Sequence, residues 1–392
     1  MSKKLIFKIL LSFVVLLIGN FLNAELLDLY KKGRIKLEAD PNFGRNTDWE
    51  LLFYDLNKDF IMAPDGSLFV ANSSQHNIFK FNPTGDFILK FGSVGRGPGD
   101  FYYPGDLSIL DNKYLVINEY ASLRRINLFD LSGHYIKVIK TDHDVFFSIA
   151  LGNNKVAYLT SAIEGKEPEQ MVRKEIIIKD LETGLEKTIF SAELPFKSKI
   201  KIRGAGIYFD NYIGDVIIAK TFAGNLLVGV SNTPDIKIYS QEGKLIRSFR
   251  LGIPPEPVTP GYIRNVKDEM VTHEKESHSP PEFLKAVEAF DFRKVFAEYL
   301  PYYRDILVDS EGNILVFKWL NCVGKSNEIF QVYTSEGKFV CETTIDKGIF
   351  DFEINLRRKN IIFTDKGIFG LFQLADSDDI FLRLVKVLHK EK

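Results

Sequence analysis

Asn72, Glu119, Asn321 and Asp365 come nearest, by type and placement, to metal-binding chemistry. Each follows a β-rich run: Leu68-Phe69-Val70, Tyr114-Leu115-Val116, Ile314-Leu315-Val316 and Ile361-Ile362-Phe363. Oxygen donors at matching places after matching strands suit a hard cation, calcium above all. The competing use is local, because Asn and Asp beside a turn hydrogen-bond its backbone. No cofactor is expected on that ground, and calcium is the one metal this donor set would suit.

A second set of residues suits recognition: Arg96, Arg124, Arg203, Tyr302, Tyr303, Arg304, Lys318 and Trp319. Arg, Tyr and Trp dominate binding hot spots, and guanidinium groups take carboxylates through paired hydrogen bonds. The combination fits a protein, peptide or carbohydrate ligand. Arg203 and Arg304 stand just before β-rich runs, where they are expected to reach the mouth of the opening that those strands surround.

Other chemistries lack support. The six histidines, at 76, 134, 143, 273, 278 and 389, do not recur at equivalent positions, so a three-His zinc site is not expected. Neither a Gly-x-Ser-x-Gly elbow nor a His-Glu-x-x-His motif occurs. Gly95-Arg96-Gly97-Pro98-Gly99 is followed by Asp100-Phe101-Tyr102, where a phosphate loop needs Lys-Ser/Thr and a helix. Lys and Arg total 51 against 52 Asp and Glu, which leaves no field to attract nucleic acid. The two cysteines, Cys322 and Cys341, fall on strands with a third between them, beyond disulfide reach. They are expected to be buried free thiols.

The elements that carry these residues repeat. Pro64-Asp65-Gly66 precedes one apolar run and Asn82-Pro83-Thr84-Gly85 separates two more, the mark of hairpins. The first kind of turn returns at Asp111-Asn112, Asn153-Asn154, Ala223-Gly224-Asn225, Glu311-Gly312-Asn313 and Arg358-Lys359-Asn360. The second returns at Gly133, Gly184, Gly243 and Gly337. A period of about 50 residues means stacked four-stranded blades, and six inner turns give an all-β, six-bladed β-propeller with antiparallel blades. Gly243 to Gly337 is about twice the period. The excess is an insertion at about 254–301, between blades 4 and 5. Within it, Thr259-Pro260 and Ser279-Pro280 mark helix starts, so a helical hairpin is expected, with its second helix running from Pro280 towards Leu300. It should lie over or beside the channel mouth, as a lid or as a brace.

Lys3, Lys4 and Lys8 flank an apolar run from Leu10 to Ile18, which ends in Asn23-Ala24. Residues 1–24 therefore read as a cleaved signal peptide, residues 25–392 as the propeller, and the location as exported, periplasmic or extracellular. No membrane span is expected after cleavage, and a monomer is expected. Ring closure is assigned to the segment around Gly33–Glu38, which alternates like an edge strand; that segment or an adjacent one should complete the terminal blade at about 350–387.

The junction from Phe91-Gly92 through Gly97-Pro98-Gly99-Asp100-Phe101 to Pro104 resembles that of NHL-repeat propellers. Asn72 stands where that family usually has Asp. The resemblance is densest over the first two blades and extends to exported bacterial propellers. It implies an extracytoplasmic ligand- or protein-binding module. Its enzymatic relatives imply the alternative, a metal-dependent, lactonase-like hydrolase or lyase acting at the channel mouth.

Overall fold

In the computed structural model, the described residues are 25–36, 40–48, 59–119, 124–166, 170–195, 199–202, 205–208, 214–276, 279–319, 328–346, 361–364, 367–373 and 382–387. Five antiparallel sheets are built in simple up-and-down order. Blade 1 holds Phe60–Met62, Leu68–Asn72, Asn77–Phe81 and Phe87–Phe91; blade 2 holds Pro104–Leu110, Tyr114–Glu119, Arg125–Asp130 and Tyr135–Lys140. Blade 3 holds Phe147–Gly152, Lys155–Glu164, Met171–Asp180 and Glu186–Pro195; blade 4 holds Val216–Lys220, Leu226–Val230, Asp235–Tyr239 and Leu245–Arg250. Blade 5 holds Tyr303–Val308, Ile314–Lys318, Glu328–Tyr333 and Phe339–Asp346. A sixth sheet shows three strands, Ile361–Thr364, Gly367–Gln373 and Leu382–Val387.

The turns do what their residues dictate. Asn153 and Asn154 both take positive φ, +50° and +55°, as a two-residue hairpin that follows the strand twist requires. The second strand of blade 1, Leu68–Asn72, is buried along its whole length because sheets cover both of its faces. Apolar clusters then join each blade to the next. Phe69, Ile78, Leu107 and Leu115 join blades 1 and 2; Val116, Ile126, Val156 and Tyr158 join blades 2 and 3. Ile149, Ile176, Val216 and Val228 join blades 3 and 4; Leu227, Ile236, Ile306 and Val316 join blades 4 and 5. Phe317, Phe330, Phe363 and Ile368 join blades 5 and 6, and Phe60, Phe79 and Phe369 close blade 6 on blade 1.

The N-terminal segment departs from expectation. Arg34–Lys36 pairs in parallel with Phe339–Asp346, so it forms a fifth strand on blade 5 and does not complete the terminal blade. The preceding helix α1 (Glu25–Lys31) explains the choice. Its Leu26, Leu29 and Tyr30 sink into the seam between blades 5 and 6, Tyr30 Oη donates to Asp309 Oδ2 at 2.9 Å, and Thr343 Oγ1 donates to the Tyr30 carbonyl at 2.6 Å. With α1 seated there, the strand after it reaches the outer edge of blade 5. The chain then continues to the seam between blades 6 and 1, where Phe43 packs on Phe369 and Gly44 N donates to the Thr84 carbonyl at 2.7 Å. Residues 25–36 and 40–47 thus act as a strap that grips blades 5, 6 and 1.

The insertion is helical. α2 (Pro260–Glu276) starts at Thr259, whose Oγ1 accepts from Tyr262 N at 3.2 Å, and α3 (Pro281–Ala289) starts after Ser279-Pro280. α3 ends well before Leu300; a short 3-10 turn, Phe292–Lys294, and extended chain replace its expected second half. Tyr262, Val266, Val287, Phe292, Val295 and Phe296 form the insert's own small core.

Candidate functional site

The first strands of the blades surround a central cavity of about 640 Å³. Most of its wall is apolar, from residues such as Ile61, Phe147, Ile149, Ile217 and Leu307. One end of the cavity opens on the face where each blade hands over to the next. That face also carries the insert and the ribbon Lys199–Ile202/Ala205–Tyr208, against which α3 lies. Lys220, at the other end of blade 4's first strand, donates to the Ile109 carbonyl at 3.3 Å.

Carboxylates recur at the loop-face ends of these strands: Asp59, Asp106, Asp215 and Asp305. Their geometry shows a structural task. Asp59 Oδ2 accepts from Leu107 N of the next blade at 2.6 Å, and Asp106 Oδ2 accepts from Ser148 N of the next at 3.2 Å. Asp215 and Asp305 each accept from the amide that follows them, at 2.7 Å in both cases. Backbone donors near the channel, which the innermost edge leaves without a sheet partner, are satisfied this way.

Blade 3 raises one side of the mouth. Its second, third and fourth strands have ten residues each, so they project beyond the five- and six-residue strands of blade 4 by about 15 Å. From the blade's third strand, Lys174 reaches across Ser161 to form an ion pair with Asp215 of blade 4. Both partners and Ser161 line the cavity. Phe146, just before blade 3's first strand, also lines it and is 50% exposed. An aromatic ring at a cavity mouth and a charged pair inside it are the polar and apolar handles of a binding site.

Few of the residues singled out by sequence meet there. Arg304 is engaged by Glu328 on its own blade, and Lys318 by Glu342 at 3.4 Å. Tyr303 is fully buried with its hydroxyl against Gly229, where any Cβ would collide with it. Burial pushes that hydroxyl well above the usual tyrosine range. Tyr302 lies against the core between blades 4 and 5. Trp319 packs on the insert and donates Nε1–H to Tyr262 Oη at 3.1 Å, so it braces the insert. Arg124 pairs with Asp144 at 2.9 Å. Arg96 is exposed over the Tyr102 ring at 5.5 Å, on the glycine-rich loop. Arg203 lies outside the described residues. Arg304 thus meets Glu328 on its own blade with part of its side chain still exposed.

Of the four candidate metal donors, the two that fall among the described residues are engaged by protein groups. Glu119 Oε1 accepts from Arg125 Nε at 2.6 Å and Asn127 Nδ2 at 2.7 Å, while Oε2 accepts from Tyr102 N at 2.8 Å. Asn72 is buried and its Oδ1 accepts from Ser74 Oγ at 2.9 Å. Asn321 and Asp365 lie outside the described residues, as does Cys322. Cys341 is a half-buried free thiol, pushed up by burial. His76 is half-buried, bonded to the Tyr102 carbonyl and tilted against Tyr103, and so is more enclosed than a solvated loop residue. Within the Gly95–Gly99 loop the Asp100 carboxylate takes Gly97 N at 3.2 Å, so an acid occupies the place a phosphate would need. Gly92, at φ +88°, lies so close to the Phe101 ring that a Cβ would overlap it. The glycines serve this turn.

Phe146 and Lys174 escaped sequence reading for different reasons. The doublet Phe146-Phe147 breaks strand alternation and was a usable signal. Lys174 sits in an alternating run, Arg173-Lys174-Glu175, with nothing to mark which way it points.

Residues 50–227 match the sequence profile of a family described as 6-bladed beta-propeller. No protein of curated function matches the chain in sequence. Similar solved structures include an exported-protein candidate of Bacteroides fragilis, at 10% identity and TM-score 0.49, covering 92% of this chain and 99% of that one. Virginiamycin B lyase from Staphylococcus aureus is similar at 11% identity and TM-score 0.36, covering 85% of each chain. The calcium-binding protein regucalcin from Agrobacterium tumefaciens is similar at 9% identity and TM-score 0.36, covering 90% of this chain and 96% of that one. These distant likenesses leave ligand and activity to the chain's own residues. The first half of the ring carries the sequence pattern of a six-bladed β-propeller family, and the sheets that follow continue that architecture.

Proposed function

We propose that the chain is an extracytoplasmic binding module whose ligand enters the central channel from the loop face. The carrying observation is the cavity of about 640 Å³, apolar along its walls with a charged pair inside the mouth. Its size is that of a small-molecule or side-chain pocket. The lysine-flanked apolar run at residues 3–18 supports an exported location. The insert and the tall strands of blade 3 border the mouth and give a protein, peptide or carbohydrate ligand further surface. Glu119 supports no metal-dependent reaction, since both its oxygens are already taken by protein donors.

Ser161→Trp tests the reading by filling the mouth. Native mass spectrometry of protein recovered from envelope extract is expected to show bound mass on the wild type and none on the variant, with a cooperative melting transition in both. Equal bound mass on both would move the site elsewhere.

A further inference from the structure

The geometry points to an apolar monocarboxylate as the ligand class, with the carboxylate taken by Lys174 and the apolar body by the channel wall and Phe146. This rests on the channel reading above and specifies its chemistry. Lys174 is only 9% exposed, although lysine is rarely buried. It gets there because Ser161, its cross-strand partner, is small enough for the chain to pass over. Its ammonium has three hydrogens, and its one partner among the described residues is Asp215. Two donors therefore remain on a cation that lines the cavity.

The acids around it do not compete equally. Asp106 Oδ2 takes Ser148 N and, at 3.0 Å, Asn118 Nδ2, while Asp215 Oδ1 also takes Val216 N. Asp305, the third acid on the wall, likewise takes Ile306 N through Oδ1, so backbone and amide donors hold these carboxylates in place. Lys220 is at the far end of the strand and bonded to a carbonyl. A ligand carboxylate entering past Phe146 thus meets the Lys174 ammonium, shares it with Asp215, and leaves its hydrocarbon against Leu159 and Ile217. A charge-assisted bond in a partly dry site is stronger than one in water.

The test is calorimetric titration of the intact chain with four probes: decanoate, decanol, decylammonium and acetyl-leucyl-phenylalanine. Decanoate or the acetyl dipeptide is expected to bind, decanol about tenfold more weakly, and decylammonium not at all. Binding of one carboxylate probe and not the other tells a fatty acid from a peptide terminus. Lys174→Met should cost the carboxylate probe about tenfold and leave decanol within about twofold. The double variant Lys174→Met/Asp215→Asn should behave alike while avoiding an unpaired buried acid. Decanol binding as well as decanoate, or decylammonium binding best, would overturn the assignment to Lys174 and leave the channel reading standing. Absence of binding by every probe would overturn the monocarboxylate class, and the Ser161→Trp experiment would then decide separately whether the channel is used.

Discussion

Blades 2 and 3 have the same strand order and share one apolar interface, yet they handle charge at the loop face in opposite ways. In blade 2, Glu119 is met by Arg125, Asn127 and Tyr102 N, and Arg125 also donates to the carbonyls of Gly95, Arg96 and Asp100. Each polar group there holds another, and the glycine-rich loop is fixed. In blade 3, longer strands carry a lysine to the channel with hydrogens to spare. Satisfied polar networks make structure, and an under-used donor facing a cavity makes a site.

The largest effect should come from breaking blade 2's network. Glu119→Ala leaves Arg125 and Asn127 buried without their acceptor and should cost about 3 kcal/mol in denaturant unfolding. A loss below about 1 kcal/mol would erase the contrast with blade 3. Next comes the strap. Tyr30→Phe removes the bond to Asp309 and should cost about 1 kcal/mol, read from the urea midpoint.

Asp309 adds a dependence on pH. Burial holds its carboxyl above the ordinary aspartate range despite four donated hydrogen bonds. Its raised folded value means that its contribution is complete below the unfolded aspartate range and falls as pH rises through the folded value. Asp309→Asn should flatten that slope in unfolding midpoints measured across the acid range. The smallest effect is expected at the mouth. Phe146→Ala should change stability by no more than about 0.5 kcal/mol, since the ring is half exposed. A large loss there would mean that blade 3's mouth is as structural as blade 2's loop.

Much of the ring was legible because its turns need particular residues. Asn153-Asn154 and Gly85 announce backbone conformations that few residues adopt, and Thr259-Pro260 announces a helix start. Closure was not legible. Arg34–Lys36 reads as an edge strand, but every blade offers an outer edge with the same hydrogen bonds, and α1 decides between them. The site was less legible still. Residue type identified Arg304, Lys318 and Trp319 as capable of recognition, but Glu328, Glu342 and Tyr262, which occupy them, are 24, 24 and 57 residues away in sequence. Lys174 became visible only once Asp215, 41 residues on, lay beside it.

The strap has a consequence for the order of assembly. Tyr30 meets Asp309 across 279 residues and Thr343 across 313, so the first part of the ring to be synthesised is the last able to dock. Contacts this distant in sequence carry the full entropy of closing the chain and form late. Until blades 5 and 6 exist, Leu26, Leu29, Tyr30 and Phe43 have no seam to enter, and the nascent chain must carry them as exposed apolar surface.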